Sequence, residues 1–225
     1  MKINILTLFP EFFETFKTQS IIAKAIQLGH LEINIVDWRN FSTQKHKKVD
    51  DEVYGGGQGM LLQVEPLDLA LQTVGGKKLL LSPQGKVFNQ KLAREYAKEL
   101  EITLVAGHYE GFDERILNFV DDELSVGDYV LTGGEIPAML VADAIARLVP
   151  GVIRESSHLE ESFEGDGLLD FPQYTRPRVY KGYEVPEVLL SGDHKKIEQW
   201  RNKAKYEKTL KNRPDIIERI NNEQK

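Results

Sequence analysis

The 225-residue chain contains no cysteine. That absence excludes disulfides, thiolate nucleophiles, zinc knuckles and iron–sulfur clusters, and leaves oxygen and imidazole groups as the metal ligands available. Long apolar runs are missing as well. The most apolar stretch, Ile136 to Val149, is too short to span a bilayer and contains Asp143 and Arg147. One lysine, a brief apolar run and then Pro10-Glu11 do not make a secretory signal. No Gly-x-Ser-x-Gly elbow occurs, so acyl transfer has no support. With 41% hydrophobic and 28% charged residues, the composition is that of an ordinary soluble protein. A cytoplasmic globular protein with no membrane association is expected.

Net charge is −6, which argues against a general polyanion binder. The charge is unevenly spread. Residues 195–225 hold 10 Lys and Arg against 5 Asp and Glu, whereas the chain before them holds 19 against 30. A basic C-terminal segment on an acidic body suits either a nucleic-acid contact or a solvated helix, and charge alone leaves both open.

Hydrophobic periodicity orders the elements. Ile3, Ile5, Leu6, Leu8 and Phe9 predict a buried strand. Pro10 opens a helix through Phe12, Phe13, Phe16, Ile21, Ile22, Ala25 and Ile26, closed by Gly29. Strands are expected at 31–36, 78–81 and 102–106, and helices at 65–73, 89–100, 112–119 and 135–149. Alternating strands and helices imply an α/β fold: a mostly parallel sheet with helices on both faces. Glycines and prolines punctuate residues 152–190, and the chain then resumes with a helix that Ser191 would cap and a shorter one opened by Pro214. The domain reading is a main domain over 1–150, a linker over 151–190 and a small all-helical C-terminal domain over 191–225.

Glycines gather where strands should end, the position at which open α/β sheets bind ligands. Leu81-Ser82-Pro83-Gln84-Gly85-Lys86 and Ala106-Gly107-His108-Tyr109-Glu110-Gly111 each follow a strand. Ser125-Val126-Gly127-Asp128-Tyr129-Val130-Leu131-Thr132-Gly133-Gly134-Glu135 leads into a helix. A further loop, Tyr54-Gly55-Gly56-Gly57-Gln58-Gly59-Met60, lacks the Lys-Ser/Thr of a phosphate loop and suits either a flexible surface or a functional role. Three strand-end loops in one domain point to a small-molecule site. His108 and Glu110 form a His-x-Glu pair, but the zinc deaminases that use one also need cysteines.

These loops, with Lys2-Ile3-Asn4-Ile5-Leu6-Thr7-Leu8-Phe9-Pro10, Val49-Asp50-Asp51, Gly111-Phe112-Asp113-Glu114-Arg115, Gly167-Leu168-Leu169-Asp170, Tyr174-Thr175-Arg176-Pro177 and Val188-Leu189-Leu190-Ser191-Gly192, carry a resemblance. The chain resembles the TrmD family of bacterial tRNA (guanine-N(1)-)-methyltransferases, of the SPOUT class, over almost its whole length.

The resemblance implies a deep trefoil knot in the parallel-sheet domain, against the general rule that chains do not thread. It implies S-adenosylmethionine held by Leu81, Ser82, Pro83, Gln84, Gly107, Tyr109, Glu110, Gly111, Ser125, Val126, Gly127, Asp128, Tyr129, Val130, Leu131, Gly133 and Gly134. It implies methylation of N(1) of the guanine immediately 3′ of the anticodon of a tRNA, in a homodimer with shared active sites. Arg147 stands where the family places the group that stabilises charge on the guanine oxygen; a helix-capping role is the plain alternative. The family's base is an aspartate before a Ser-Phe pair, and here Glu161-Ser162-Phe163 puts a glutamate there. The next segment, Glu164-Gly165-Asp166-Gly167, is one residue longer than usual, which makes Asp166 the second candidate. Magnesium use is implied too, with Glu110 the nearest carboxylate by motif, directly or through water. Lys195, Lys196, Arg201, Lys203, Lys205, Lys208, Lys211 and Arg213 are the implied phosphate contacts.

Overall fold

The computed structural model describes residues 1–154 and 161–223, which fall into two compact units, Met1–Arg154 and Glu155–Lys225.

The first unit is built on a five-stranded parallel sheet. Its strands are β1 (Lys2–Thr7), β2 (Glu32–Asp37), β5 (Lys77–Val87), β6 (Glu101–Val105) and β7 (Asp122–Ser125), in the spatial order β2-β1-β6-β5-β7. A short antiparallel pair, β3 (Asp50–Asp51) with β4 (Leu61–Leu62), lies apart from it. The helices are α1 (Glu14–Thr18), α2 (Ser20–Gln27), α3 (Val64–Leu71), α4 (Gln90–Tyr96) and α5 (Glu135–Ala146).

Alternation along β1 explains the two-faced sheet. Ile3 and Ile5 join one core with Ile22 and Ala25 of α2, Ala93 and Tyr96 of α4 and Val141 and Ile145 of α5. Leu6 and Leu8 join a second core with Trp38, Leu67 and Leu71. Both faces are thus covered, as a parallel sheet requires. Asn4 is fully buried in the middle of the sheet, and its polar atoms are satisfied across strands. Its amide donates to Glu101 Oε1 at 2.8 Å and Thr103 Oγ1 at 3.2 Å, and Asn34 Nδ2 donates to its Oδ1 at 2.9 Å.

Local details depart from the sequence reading. The expected single helix after Pro10 is a 3-10 turn and two helices, because Gln19 adopts extended backbone and Ser20 a positive φ of 59°. Residues 112–119 hold only a 3-10 turn, Glu114–Asn118. β5 continues past the expected end at 81 to Val87, since Pro83 and Gly85 lie in an excursion from the ladder rather than at its end. The second strand, the 89–100 helix and the 135–149 helix occur as β2, α4 and α5, with shifted ends. Asn89 caps α4 by accepting from Leu92 N at 3.1 Å.

The second unit holds a hairpin, β8 (Val179–Tyr180) with β9 (Tyr183–Glu184), turned by Lys181 and Gly182 at positive φ. It also holds α6 (His194–Asn212) and α7 (Pro214–Glu223). The hairpin was not legible in a stretch read as linker. The cap of α6 is Asp193, whose Oδ1 accepts from Lys196 N at 3.1 Å. Ser191 instead donates to Val188 O and accepts from Asp193 N; it shapes the turn before the helix. Thr209, fully buried, donates to Lys205 O and accepts from Leu169 N at 3.0 Å. Arg201 lies over the Phe171 ring at 4.6 Å.

Candidate active site

The excursion within β5 and the carboxyl ends of β6 and β7 open onto a cleft of about 420 Å³. Of the residues expected to hold a cofactor, all but Asp128 line it. Leu81, Ser82, Pro83 and Gln84 come from β5, Gly107, Tyr109, Glu110 and Gly111 follow β6, and Ser125, Val126, Gly127, Tyr129, Val130, Leu131, Gly133 and Gly134 follow β7. Sequence reasoning missed Phe112, Asp113, Ile116 and Pro137, which also line it. Phe112 and Ile116 fall in the stretch 112–119 that the sequence reads as a helix. No apolar periodicity could reveal Leu61, another lining residue, because β4 is two residues long.

Backbone hydrogen bonds fix the walls. Gly134 N donates to Gly107 O at 2.7 Å, and His108 bridges Gly133 in antiparallel fashion. On the other flank Leu62 N donates to Gly111 O, Asp113 N to Leu62 O and Glu110 N to Met60 O, at 2.9, 2.9 and 3.2 Å. Ser125 Oγ donates to Gly127 O at 3.1 Å, and Tyr129 Oη donates to Val126 O at 3.1 Å, folding the third loop on itself. Glycine leaves room for the Phe112 ring at Gly107, where a Cβ would stand 2.5 Å from it. The Tyr54–Met60 loop reaches the same place: at Gly59, φ +85°, a Cβ would stand 2.7 Å from Glu110 Oε1.

Beneath the cleft sits Glu135, 4% exposed in the first turn of α5. Thr7 Oγ1 donates to its Oε1 at 3.0 Å, and His108 Nδ1 lies 3.9 Å from its Oε2. His108 also packs against Phe9, ring centroids 4.9 Å apart. At the rim, the Arg115 guanidinium donates to Asp113 Oδ1 at 2.8 Å; that bond outweighs the opposing effect of burial and holds the Asp113 carboxyl below its ordinary range.

Arg147 lies at the C-cap of α5, with its backbone N–H donating to Asp143 O at 3.1 Å, and is not part of the cleft lining. Glu161 lies in the second unit, where its carbonyl accepts from Glu164 N at 3.2 Å. Leu159 and Glu160, which precede it in the motif, fall outside the described residues. Asp166, the second base candidate, accepts from Leu168 N and lies 3.8 Å from Lys205 Nζ.

Residues 1–219 match the family model described as tRNA (Guanine-1)-methyltransferase TrmD. The chain belongs to the TrmD family of methyltransferases.

Relatives agree over nearly the full length of both chains. A tRNA (guanine-N(1)-)-methyltransferase of Metamycoplasma arthritidis is 69% identical over 218 residues, covering 96% of this chain and 96% of its own. Its counterpart in Mycoplasmopsis agalactiae is 66% identical, covering 99% and 100%. One from Fusobacterium nucleatum is 56% identical, covering 97% and 92%.

The cleft suits the methyl donor that TrmD membership implies. Its volume lies in the range of cofactor sites, and five glycines, Gly107, Gly111, Gly127, Gly133 and Gly134, put bare backbone into its walls. Magnesium fits less well. Among the described residues no three carboxylate or imidazole groups converge to hold a metal. Glu110 is one carboxylate in the lining. Among the described residues no helix is long and apolar enough to cross a membrane.

Proposed function

We propose that the protein transfers the methyl group of S-adenosylmethionine to N(1) of the guanine immediately 3′ of the anticodon in tRNA, in the cytoplasm. The observation that carries this reading is the glycine-walled cleft formed by the β5 excursion and the carboxyl ends of β6 and β7, in a chain of this family. The trefoil knot is part of the same proposal, with the chain around the cleft threaded through the 1–150 domain. So is a homodimer that shares its active sites.

When bound, S-adenosylmethionine supplies a methyl group on a positively charged sulfur, which departs as a neutral thioether. The chain's task is then positioning and charge. The backbones of Gly107 to Gly111 and Ser125 to Gly134 would hold the donor, with Val126 and Leu131 against its adenine. Methylation forms an N(1)–carbon bond, breaks the sulfur–carbon bond and releases the N(1) proton. Glu161 accepts that proton as general base. Arg147 stabilises the negative charge that grows on the guanine O6 as the proton leaves. Asp166, whose carboxylate accepts from the Leu168 N–H and lies 3.8 Å from Lys205 Nζ, is the second base candidate. No nucleophilic side chain is needed, so the lack of cysteine costs nothing.

The division of labour assigns donor binding to 1–150, the base to the 151–190 segment and RNA binding to 191–225. The exposed lysines of α6 would meet anticodon-stem phosphates, which orient the RNA without reading its sequence.

The test is methyl transfer from labelled S-adenosylmethionine to two tRNA transcripts that differ only in guanine or adenine 3′ of the anticodon. Label in the guanine transcript alone is expected. Label in neither, with the donor bound, would sink the substrate assignment.

A further inference from the structure

Leu124 of β7 faces two residues of β5 in the parallel register, Leu81 and Lys86. Residues 82–85 therefore leave the ladder and return to it, and Ser82, Pro83 and Gln84 of this excursion line the cleft. The return is tight. A Cβ on Gly85 would collide with the backbone of Glu123 and Leu124, so the chain re-enters the sheet in direct backbone contact.

The next residue, Lys86, places Nζ 2.6 Å from Asp122 Oδ1 at the start of β7. The other oxygen of Asp122 accepts from Tyr96 Oη of α4 at 3.0 Å and lies 3.3 Å from Nζ of Lys77, the first residue of β5. One carboxylate thus joins the beginning of β5, the point where its excursion ends, and α4. Burial pushes the Asp122 carboxyl up, but its bonds to Lys86, Tyr96 and Lys77 prevail and keep it charged, below the ordinary carboxylate range. Neither Asp122 nor Lys86 lines the cleft.

We propose that Asp122 and Lys86 are positioning residues for the donor cleft, their ion pair clamping the 82–85 excursion in the shape that Ser82, Pro83 and Gln84 present to the ligand. Ordering such a loop costs conformational entropy. A clamp that orders it beforehand removes that cost from binding, which raises affinity without any contact to the ligand. The inference rests on the reading of this cleft as the S-adenosylmethionine site.

The test compares wild type, Lys86→Met, Lys86→Arg and Lys77→Met by calorimetric S-adenosylmethionine binding, KM for donor and for tRNA, and thermal unfolding. Lys86→Met is expected to weaken donor binding roughly tenfold, the scale of a lost charge-assisted hydrogen bond, with KM for tRNA unchanged. Lys86→Arg restores affinity. Lys77→Met removes a neighbour of the same carboxylate at the far end of β5, so it lowers the melting temperature while donor affinity stays at the wild-type value. Equal weakening by Lys77→Met and Lys86→Met, or none by Lys86→Met, would overturn the proposal. Wild-type protein that fails to bind the donor would instead overturn the cleft assignment on which it rests.

Discussion

The backbone N–H of Gly134 donates to the carbonyl of Gly107 at 2.7 Å, and a methyl group on Gly134 would stand 2.5 Å from the Gly107 nitrogen. The loops after β6 and β7 are therefore joined backbone to backbone. The dihedrals of Gly134, φ −85° and ψ −1°, are open to any residue, so crowding alone demands glycine there. Gly134→Ala should destabilise the protein by about 1–3 kcal/mol through overpacking. It should also weaken S-adenosylmethionine binding by roughly tenfold or more, since both loops line the cleft. Thermal melts and calorimetry check this; unchanged donor affinity would show that the junction does not shape the cleft.

Arg147 and Glu161 lie outside the lining of the donor cleft or in the other unit. Their assigned roles concern guanine, not the donor. Arg147→Ala should lower kcat by about 10²–10³, the usual scale for losing one group that stabilises an oxyanion. Glu161→Ala should lower it by about 10²–10⁴. Both should keep donor affinity near wild type in calorimetry. A Glu161→Ala enzyme with full turnover would move the base to Asp166.

Lys208 is exposed on α6, whereas the Lys205 side chain is only 15% exposed and is engaged by Asp166. The two lysines therefore should behave differently. Lys208→Glu should weaken tRNA binding most at low salt and flatten the salt dependence, as loss of a phosphate contact does. Lys205→Glu should lower the melting temperature through repulsion with Asp166. Filter binding across a salt series, with parallel melts, separates the two; a salt-independent loss for Lys208→Glu would contradict a phosphate contact.

Acid should loosen the junction of β5, β7 and α4. Asp122 has a folded-state pKa lowered from 3.8, so its contribution to stability is fully present above the unfolded-state value. That contribution is lost as pH falls through the folded-state value. Tyr96 shifts the other way: burial and Asp122 raise its pKa above 10.0, so its contribution holds below that pH and fades in strong alkali. Denaturant melts from pH 7 to pH 3 should show the wild type losing more stability than Asp122→Asn. Parallel curves would exclude the carboxylate as a source of the acid sensitivity.

Much of the cleft's lining was legible because glycine marks it. Gly107, Gly111, Gly127, Gly133 and Gly134 follow apolar strand runs, and glycines in that position admit backbone to a ligand. Ser191 shows the limit of such signals. It is a good helix cap by type, yet Asp193 lies two residues nearer the first turn and takes the bond to Lys196 N. The stretch 82–86 was misread as a loop beyond a finished strand, because Pro83 and Gly85 are breakers by local rule. Only the pairing of Lys86 with Leu124 and of Val87 with Ser125 shows that the strand resumes.

By itself the sequence determined the alternation of strands and helices, since apolar residues must repeat with the period of the element that buries them. It also determined the glycine-lined strand ends, since backbone conformation and steric size are local properties. Tertiary structure alone decided which strands lie side by side, and so which loops meet. The contact of Gly134 with Gly107, of Gly59 with Glu110 and of Lys86 with Asp122 joins residues 27, 51 and 36 positions apart. No local pattern encodes such a separation; it emerges when the order β2-β1-β6-β5-β7 is set by packing both faces of the sheet at once.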